Sequence, residues 1–279
     1  MKVIYKTFTA AVMALMLVSC GSKDGRSADD LLARARTEFE NGKYNAARML
    51  IDSIKIVSPK AYNTLREAEI LRREVLIKEK EGDVERLEAA LNELVAKRDS
   101  LAGKMDFNKD KKYQDKGYYT VKSQALALNV QNNFLRASVY EDGAMYLTSF
   151  YRGKSIKHTT VKLTCNGVYA SCDKPFLERN YKELGVNNER RDYKYGEDNG
   201  LMDFILVAQG KIEVELSGGN SKVTYTMRQA DADALCQVLE LTLAIKAVQK
   251  AEDMLGEAKF TLDFLKKSEE RSAAASKQE

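Results

Sequence analysis

Apolar residues recur at helical spacing towards both ends of the chain and alternate at strand spacing between them. From Asp29 to Pro59, Leu31, Leu32, Ala35 and Phe39 form one stripe, Asn41-Gly42 interrupts it, and Tyr44, Ala47, Leu50, Ile51 and Ile54 form a second. The spacing predicts a helix hairpin over 29–59. Beyond Pro59 the apolar positions keep a seven-residue beat, Ile70, Ile77, Val84 and Leu91 in one register and Leu87, Leu94 and Leu101 in the other. That beat predicts a long helix over 60–105 with a coiled-coil seam. Arg73, Lys80 and Arg98 fall on the seam and make it imperfect. Gly82 followed by Asp83 and Glu85 offers a helix break, but the unbroken phase from Ile77 to Val84 favours continuity. A second rod is expected over 229–270, where Leu241, Val248, Leu255 and Leu262 alternate with Ala244, Ala251, Ala258 and Leu265. Large residues alternating with alanine allow two helices to approach closely. The two rods are expected to run antiparallel as a stalk; a homodimer through either helix is the alternative. Residues 271–279 read as a disordered tail.

Between the rods, 106–228 follow a different grammar. Residues 106–117 are rich in lysine and aspartate and read as a linker. Strand signals follow over 119–130, 134–140, 144–151, 155–165, 168–172, 202–208, 211–216 and 222–228. Asp142-Gly143, Arg152-Gly153, Asn166-Gly167, Gln209-Gly210 and Ser217-Gly218-Gly219-Asn220 supply hairpin chemistry. Ile212, Val214 and Leu216 alternate with Lys211, Glu213 and Glu215, giving that strand one wet face. A short helix is expected over 174–184, with Asp173 as cap, Pro175 in the first turn and Gly185 at the end. The fold class is therefore α+β: an N-terminal helix hairpin, a long antiparallel two-helix coiled-coil stalk and an inserted, mostly antiparallel β-rich head.

The first residues have another character. Lys2 and Lys6 precede an apolar run from Phe8 to Val18, too short to span a bilayer, which predicts a signal peptide over 1–19. The tetrad Leu17-Val18-Ser19-Cys20 resembles the lipobox of bacterial lipoproteins. The resemblance implies cleavage before Cys20, acylation of its thiol and a membrane anchor of two or three chains, each buried methylene contributing ~0.8 kcal/mol. Gly21 after the cysteine resembles an outer-membrane address, so the expected place is the bacterial cell envelope, with 20–28 as a lipidated tether. Ala35, Phe39, Gly42, Tyr44, Ala47, Ile51, Ile54 and Pro59 resemble one tetratricopeptide repeat. Leu31 stands where that family has a large aromatic, and no second copy follows. A lone repeat must bury its face on the rest of the chain or on a partner.

Composition narrows the remaining classes. Hydrophobic residues make up 44% and charged residues 31% of the 279, which suits a chain with a buried core and neither a disordered nor a multi-span protein. The formal charge is +4, of which Lys2 and Lys6 of the leader supply two. A balance this close to neutral argues against nucleic acid as partner. With Cys20 acylated, Cys165, Cys172 and Cys236 remain. A two-residue turn at Asn166-Gly167 pairs Cys165 with Val168 and Cys172 with Val161, too far apart for a disulfide, whereas a different turn would permit one. No metal-ligand spacing and no cofactor motif occur. The one histidine, His158, shares strand parity with Ile156 and Lys162 and reads as solvated or structural, so no catalytic residue is expected.

The segment Val186–Gly200 reads as a recognition loop. Arg190, Arg191, Tyr193, Lys194 and Tyr195 stand there among asparagines and acids, suited to partner anchoring or sugar stacking. The function expected is a non-catalytic envelope lipoprotein that binds or assembles with another envelope protein. A head that binds a glycan or small ligand is the first alternative, a hydrolase using carboxylates the second.

Overall fold

A computed structural model describes residues 27–124 and 133–275. The leader, Cys20 and most of its tether, the end of the first expected strand and residues 276–279 lie outside the described residues. The chain divides into two compact units: one takes the residues up to Glu85 together with those from Glu257 onward, the other Arg86–Gly256.

The helical unit holds α1 (Ala28–Glu40), α2 (Tyr44–Val57), the first part of α3 (Tyr62–Ala102) and the last part of α5 (Gln229–Ala275). Ser27 caps α1 by accepting a hydrogen bond from the Asp30 N–H. Gly42, at φ +72°, makes the left-handed turn that reverses the chain into α2. Leu31, Leu32 and Ala35 of α1, Ala47, Ile51 and Ile54 of α2, and Ala68, Leu71 and Val75 of α3 form one core. Ion pairs Arg36–Glu67, Arg48–Glu79 and Lys55–Glu69 flank it. Arg73 hydrogen-bonds Ser272, and Lys266 pairs with Glu81 at 2.7 Å, so α3 and α5 run antiparallel where they meet in this unit.

Both long helices are regular. α3 passes through Gly82 without a break, as its apolar phase required. α5 continues to Ala275, which corrects the expectation of disorder from residue 271, because the helical pattern carries five residues further. The alternating stripe on α5 is buried from Leu241 to Leu255 and half-buried at Ala258, Leu262 and Leu265. On α3 Ile77 is buried and Val84, Leu87, Leu91, Leu94 and Leu101 are half-buried, whereas Ile70 is exposed. Among the described residues no helix is long and apolar enough to cross a membrane.

The second unit contains two antiparallel sheets. The six-stranded sheet has the order β1-β2-β3-β4-β8-β7, formed by β1 (Asp106–Asn108), β2 (Tyr118–Thr120), β3 (Phe134–Tyr140), β4 (Met145–Gly153), β7 (Leu177–Glu183) and β8 (Val186–Lys194). The four-stranded sheet has the order β10-β9-β5-β6, formed by β5 (Thr160–Cys165), β6 (Val168–Cys172), β9 (Glu213–Gly218) and β10 (Ser221–Thr226). Inward residues of both sheets, among them Leu135, Val139, Leu147, Leu163 and Leu216, meet Leu235, Leu239 and Ile245 of α5 in a common core. Asn166 and Gly167 both have positive φ, and Cys165 pairs with Val168 as Cys172 does with Val161, the register expected from the sequence. Both cysteines are free and buried.

Several expectations for this unit are corrected: the segment read as a linker opens with the strand β1, and residues 122–124 form a 3-10 turn within the strand expected over 119–130. Residues 174–184 contain the strand β7, not a helix: Leu184 and Gly185 both have positive φ, so the glycine read as a helix end is half of a two-residue hairpin turn into β8. Residues 202–207 fall in the helix α4 (Leu201–Val207), with Ala208 as its C-cap, not in a strand. Periodicity cannot separate the two in so short an apolar run, and the deciding group is Asp198, whose carboxylate accepts from the Met202 N–H at 2.9 Å. Residues 186–194, read as a loop, are the strand β8, paired on both sides by β4 and β7.

Candidate functional site

The pleat of the six-stranded sheet sorts its side chains into two chemistries. Leu135, Ala137 and Val139 of β3 and Met145 and Leu147 of β4 point to the core. The alternate positions, Phe134, Arg136, Ser138 and Tyr140 of β3 and Tyr146, Thr148 and Phe150 of β4, share the opposite face. Register adds Arg190 and Asp192 of β8 and Arg179 of β7 to that face, with Tyr118 of β2 opposite Tyr140. These residues line a groove of about 680 Å³ that continues into a smaller hollow of about 210 Å³ beside Tyr146 and Phe176.

The groove has two ends. At one, Tyr118, Tyr140, Tyr146 and Phe176 form a ladder across the strands, with successive ring centroids 5.6, 5.8 and 5.2 Å apart. Burial, with the neighbouring Tyr146 and Tyr118, raises the Tyr140 phenol, so it stays protonated and able to donate. At the other end Phe134 and Phe150 stack at 4.8 Å, the Arg136 guanidinium lies 4.2 Å from the Phe134 ring centroid, and Arg179 and Arg190 are cross-strand partners. Burial lowers the Arg136 guanidinium to about 10, helped by Arg190 and Arg228 and opposed by Asp231; it remains cationic at neutral pH. Asp192 accepts from Thr148 at 2.5 Å and from Arg190 at 3.0 Å. The Arg190 side chain nevertheless stays 42% exposed, and Arg179 is exposed. Gln124, 2% exposed, also lines the groove: its amide N–H donates to the Leu135 carbonyl at 3.4 Å, while its Oε1 has no partner among the described residues.

The core face of the same strands carries a closed polar network. The Glu189 carboxylate accepts from Ser155 Oγ, from the N–H groups of Ile156, Lys157 and His158, and from His158 Nδ1, at 2.7 to 2.9 Å. Because the carboxylate only accepts, Nδ1 carries the proton and Nε2 faces the Ser149 hydroxyl at 2.7 Å as acceptor. Burial raises the Glu189 carboxyl, but the bonds from Ser155, His158 and the backbone outweigh it and hold the group near 2. Burial lowers the imidazole, against the opposing Glu189 bond, and keeps it neutral. Serine, neutral histidine and carboxylate in this order are the parts that activate a hydroxyl nucleophile. Here Ser149 and His158 are fully buried, and neither lines the groove. What the network does is hold the crossing from β4 to β5, including the left-handed Lys157 at φ +50°.

The residues expected to form one recognition loop are divided by the pleat. Arg190 and Lys194 lie on the groove side. Arg191 and Tyr193 are buried in the core: Arg191 donates to the carbonyls of His158, Arg179 and Arg190, and Tyr193 Oη donates to the Thr159 carbonyl at 2.6 Å. Neither of these two is exposed to a partner, because successive residues of a strand point to opposite faces of the sheet. Tyr195 is half-buried, bonded to Asp203, with Lys246 5.0 Å from its ring centroid. Cys20 lies outside the described residues. His158 departs from its expected face because Lys154–Thr159 is not strand, so parity does not extend to it. Sequence reasoning missed Tyr118, Phe134, Arg136, Tyr140, Tyr146 and Arg179. The alternation Leu-Arg-Ala-Ser-Val-Tyr over 135–140 signals a two-faced strand, but not which strands lie beside it.

Among the described residues no cluster of histidine, cysteine and acids could hold a metal ion. No protein-family model, curated protein or solved structure matches this chain.

Proposed function

We propose that the chain is a non-catalytic, lipid-anchored protein of a bacterial envelope whose β-rich head is a ligand-binding module. The observation that carries this reading is the groove, a concave surface lined by a ladder of aromatic rings at one end and guanidinium groups at the other. Concave aromatic surfaces with a few convergent polar groups suit small-ligand and glycan binding. The anchor rests on the lipobox resemblance at Cys20. In this reading α3 and α5 pair as an antiparallel stalk, in keeping with the Arg73–Ser272 and Glu81–Lys266 contacts and the burial of their seven-residue stripes.

Two measurements test the parts separately. Cys20→Ala is expected to move the protein from the membrane to the soluble fraction, and continued membrane fractionation removes the anchor. A glycan array probed with the full-length chain in detergent is expected to show binding that Tyr140→Ala abolishes; an array with no binding removes the module.

A second reading, assembly with another envelope protein, is favoured by the helical unit. Ile56, Tyr62 and Met49 are exposed there, as are Phe260 and Phe264 one turn apart on α5. Crosslinking in intact native cells distinguishes it, by a single partner protein lost on changing Ile56 and Tyr62 to serine.

A further inference from the structure

Resting on the reading of the groove as a ligand site, we propose that its ligand is an acidic oligosaccharide, with sugar rings laid on the tyrosine ladder and a carboxylate held at Arg179 and Arg190. Three observations lead there. The first is where the groove lies. β4 and β8, the central strands of the groove floor, are each paired on both sides, so their backbone donors and acceptors are used within the sheet. A polypeptide lying across β4 and β8 would be read there through side chains alone.

The second is the pairing of stacking surface with polar groups suited to hydroxyls. Tyr118, Tyr140 and Tyr146 offer ring faces and phenol donors at the same spots. Gln124 adds a buried acceptor, Oε1, with no donor among the described residues. An acceptor left in that condition is unfavourable and is relieved by a hydroxyl or N–H donor entering beside it. Alternating hydroxyls and apolar ring faces are what a saccharide presents.

The third is charge. Arg179 and Arg190 face each other across β7 and β8 with the single carboxylate of Asp192 between Arg190 and Thr148. The Arg179 guanidinium makes no hydrogen bond or ion pair among the described residues, and Arg190 shares its one carboxylate partner, Asp192, with Thr148. Planar guanidinium groups in excess of their acids match a carboxylate in both geometry and charge. A neutral sugar would leave this end unanswered.

The test is calorimetric titration of the full-length chain in detergent with oligomers of galacturonate, hyaluronan and sialic acid, each paired with its carboxyl-methylated form. At least one acid is expected to bind, about tenfold or more tighter than its ester at low salt. Arg179→Ala combined with Arg190→Gln is expected to bring acid and ester to equal affinity, and Tyr140→Ala to weaken both, with every variant keeping a cooperative thermal melt that shows it folded. The inference is overturned if esters bind as tightly as acids, if the arginine changes leave the preference intact, or if hexaglutamate binds and the saccharides do not. Neutral glycans that bind and are lost on Tyr140→Ala overturn the acidic ligand while leaving the ligand-binding reading standing. Absence of binding by any glycan, acidic or neutral, overturns both.

Discussion

The two faces of β8 hold similar residues in opposite conditions. On the core side, Glu189, Arg191 and Tyr193 are buried and their polar groups are matched donor to acceptor. On the groove side, Arg190 and Lys194 keep part of their surface in solvent. Charge and aromaticity alone therefore do not mark a recognition residue. What separates a fastening from a contact surface is whether the group's hydrogen-bonding capacity is used up inside the protein.

That comparison can be broken most severely at Glu189. Replacing it by glutamine keeps the shape but removes the charge that gathers five donors, so urea denaturation is expected to show a loss of about 3–5 kcal/mol. Retention of wild-type stability would mean that the core network is ornamental. Acid sharpens the same point. The Glu189 carboxyl is lowered from its ordinary value to about 2, so its contribution is present above about pH 4.5 and is lost as the pH falls towards 2. At 1.36 kcal/mol per pH unit this amounts to about 3 kcal/mol. His158, lowered by burial, adds in the same direction, since the unfolded chain takes up a proton first, below about pH 6.5. Stability measured against pH should thus decline from near neutrality downwards, and Glu189→Gln should flatten the lower part of the curve.

The fastening has a second half in the other sheet. A β-carbon on Gly218 would lie 2.2 Å from the Lys157 carbonyl oxygen, which is backbone and held by the Glu189 cluster. Gly218→Ala is expected to destabilise by about 1–3 kcal/mol in thermal melts. The smallest effect on folding belongs to the groove. Arg190→Gln should alter stability by no more than about 0.5 kcal/mol, since its ion pair is partly exposed. An equal loss from Arg190→Gln and Glu189→Gln would erase the distinction between the two faces.

The two long helices, the α1–α2 pair and most of the hairpins were legible because their signals are local. The seven-residue beats place α3 and α5, Asn41-Gly42 places the α1–α2 turn, and Asn166-Gly167 fixes the cysteine register. Leu184-Gly185 misled because glycine with positive φ serves a helix end and a hairpin turn equally. The groove was not legible for a different reason. Tyr140, Tyr146 and Arg190 are distant in sequence and become neighbours only through the strand order β2-β3-β4-β8-β7. The segment of β8 attracted attention for its composition, yet only every second residue of it reaches the groove. Likewise Ser149, His158 and Glu189 carry no motif spacing, and their meeting depends on a crossing between sheets.

The limits of the two units fall inside α3, after Glu85, and inside α5, after Gly256. Neither passage contains a loop able to absorb a change in length. One residue inserted at either place would turn every later side chain about 100° around the helix axis, because there are 3.6 residues per turn. A lengthening inside either helix therefore keeps later side chains in phase only in steps close to a whole turn, about three or four residues at a time.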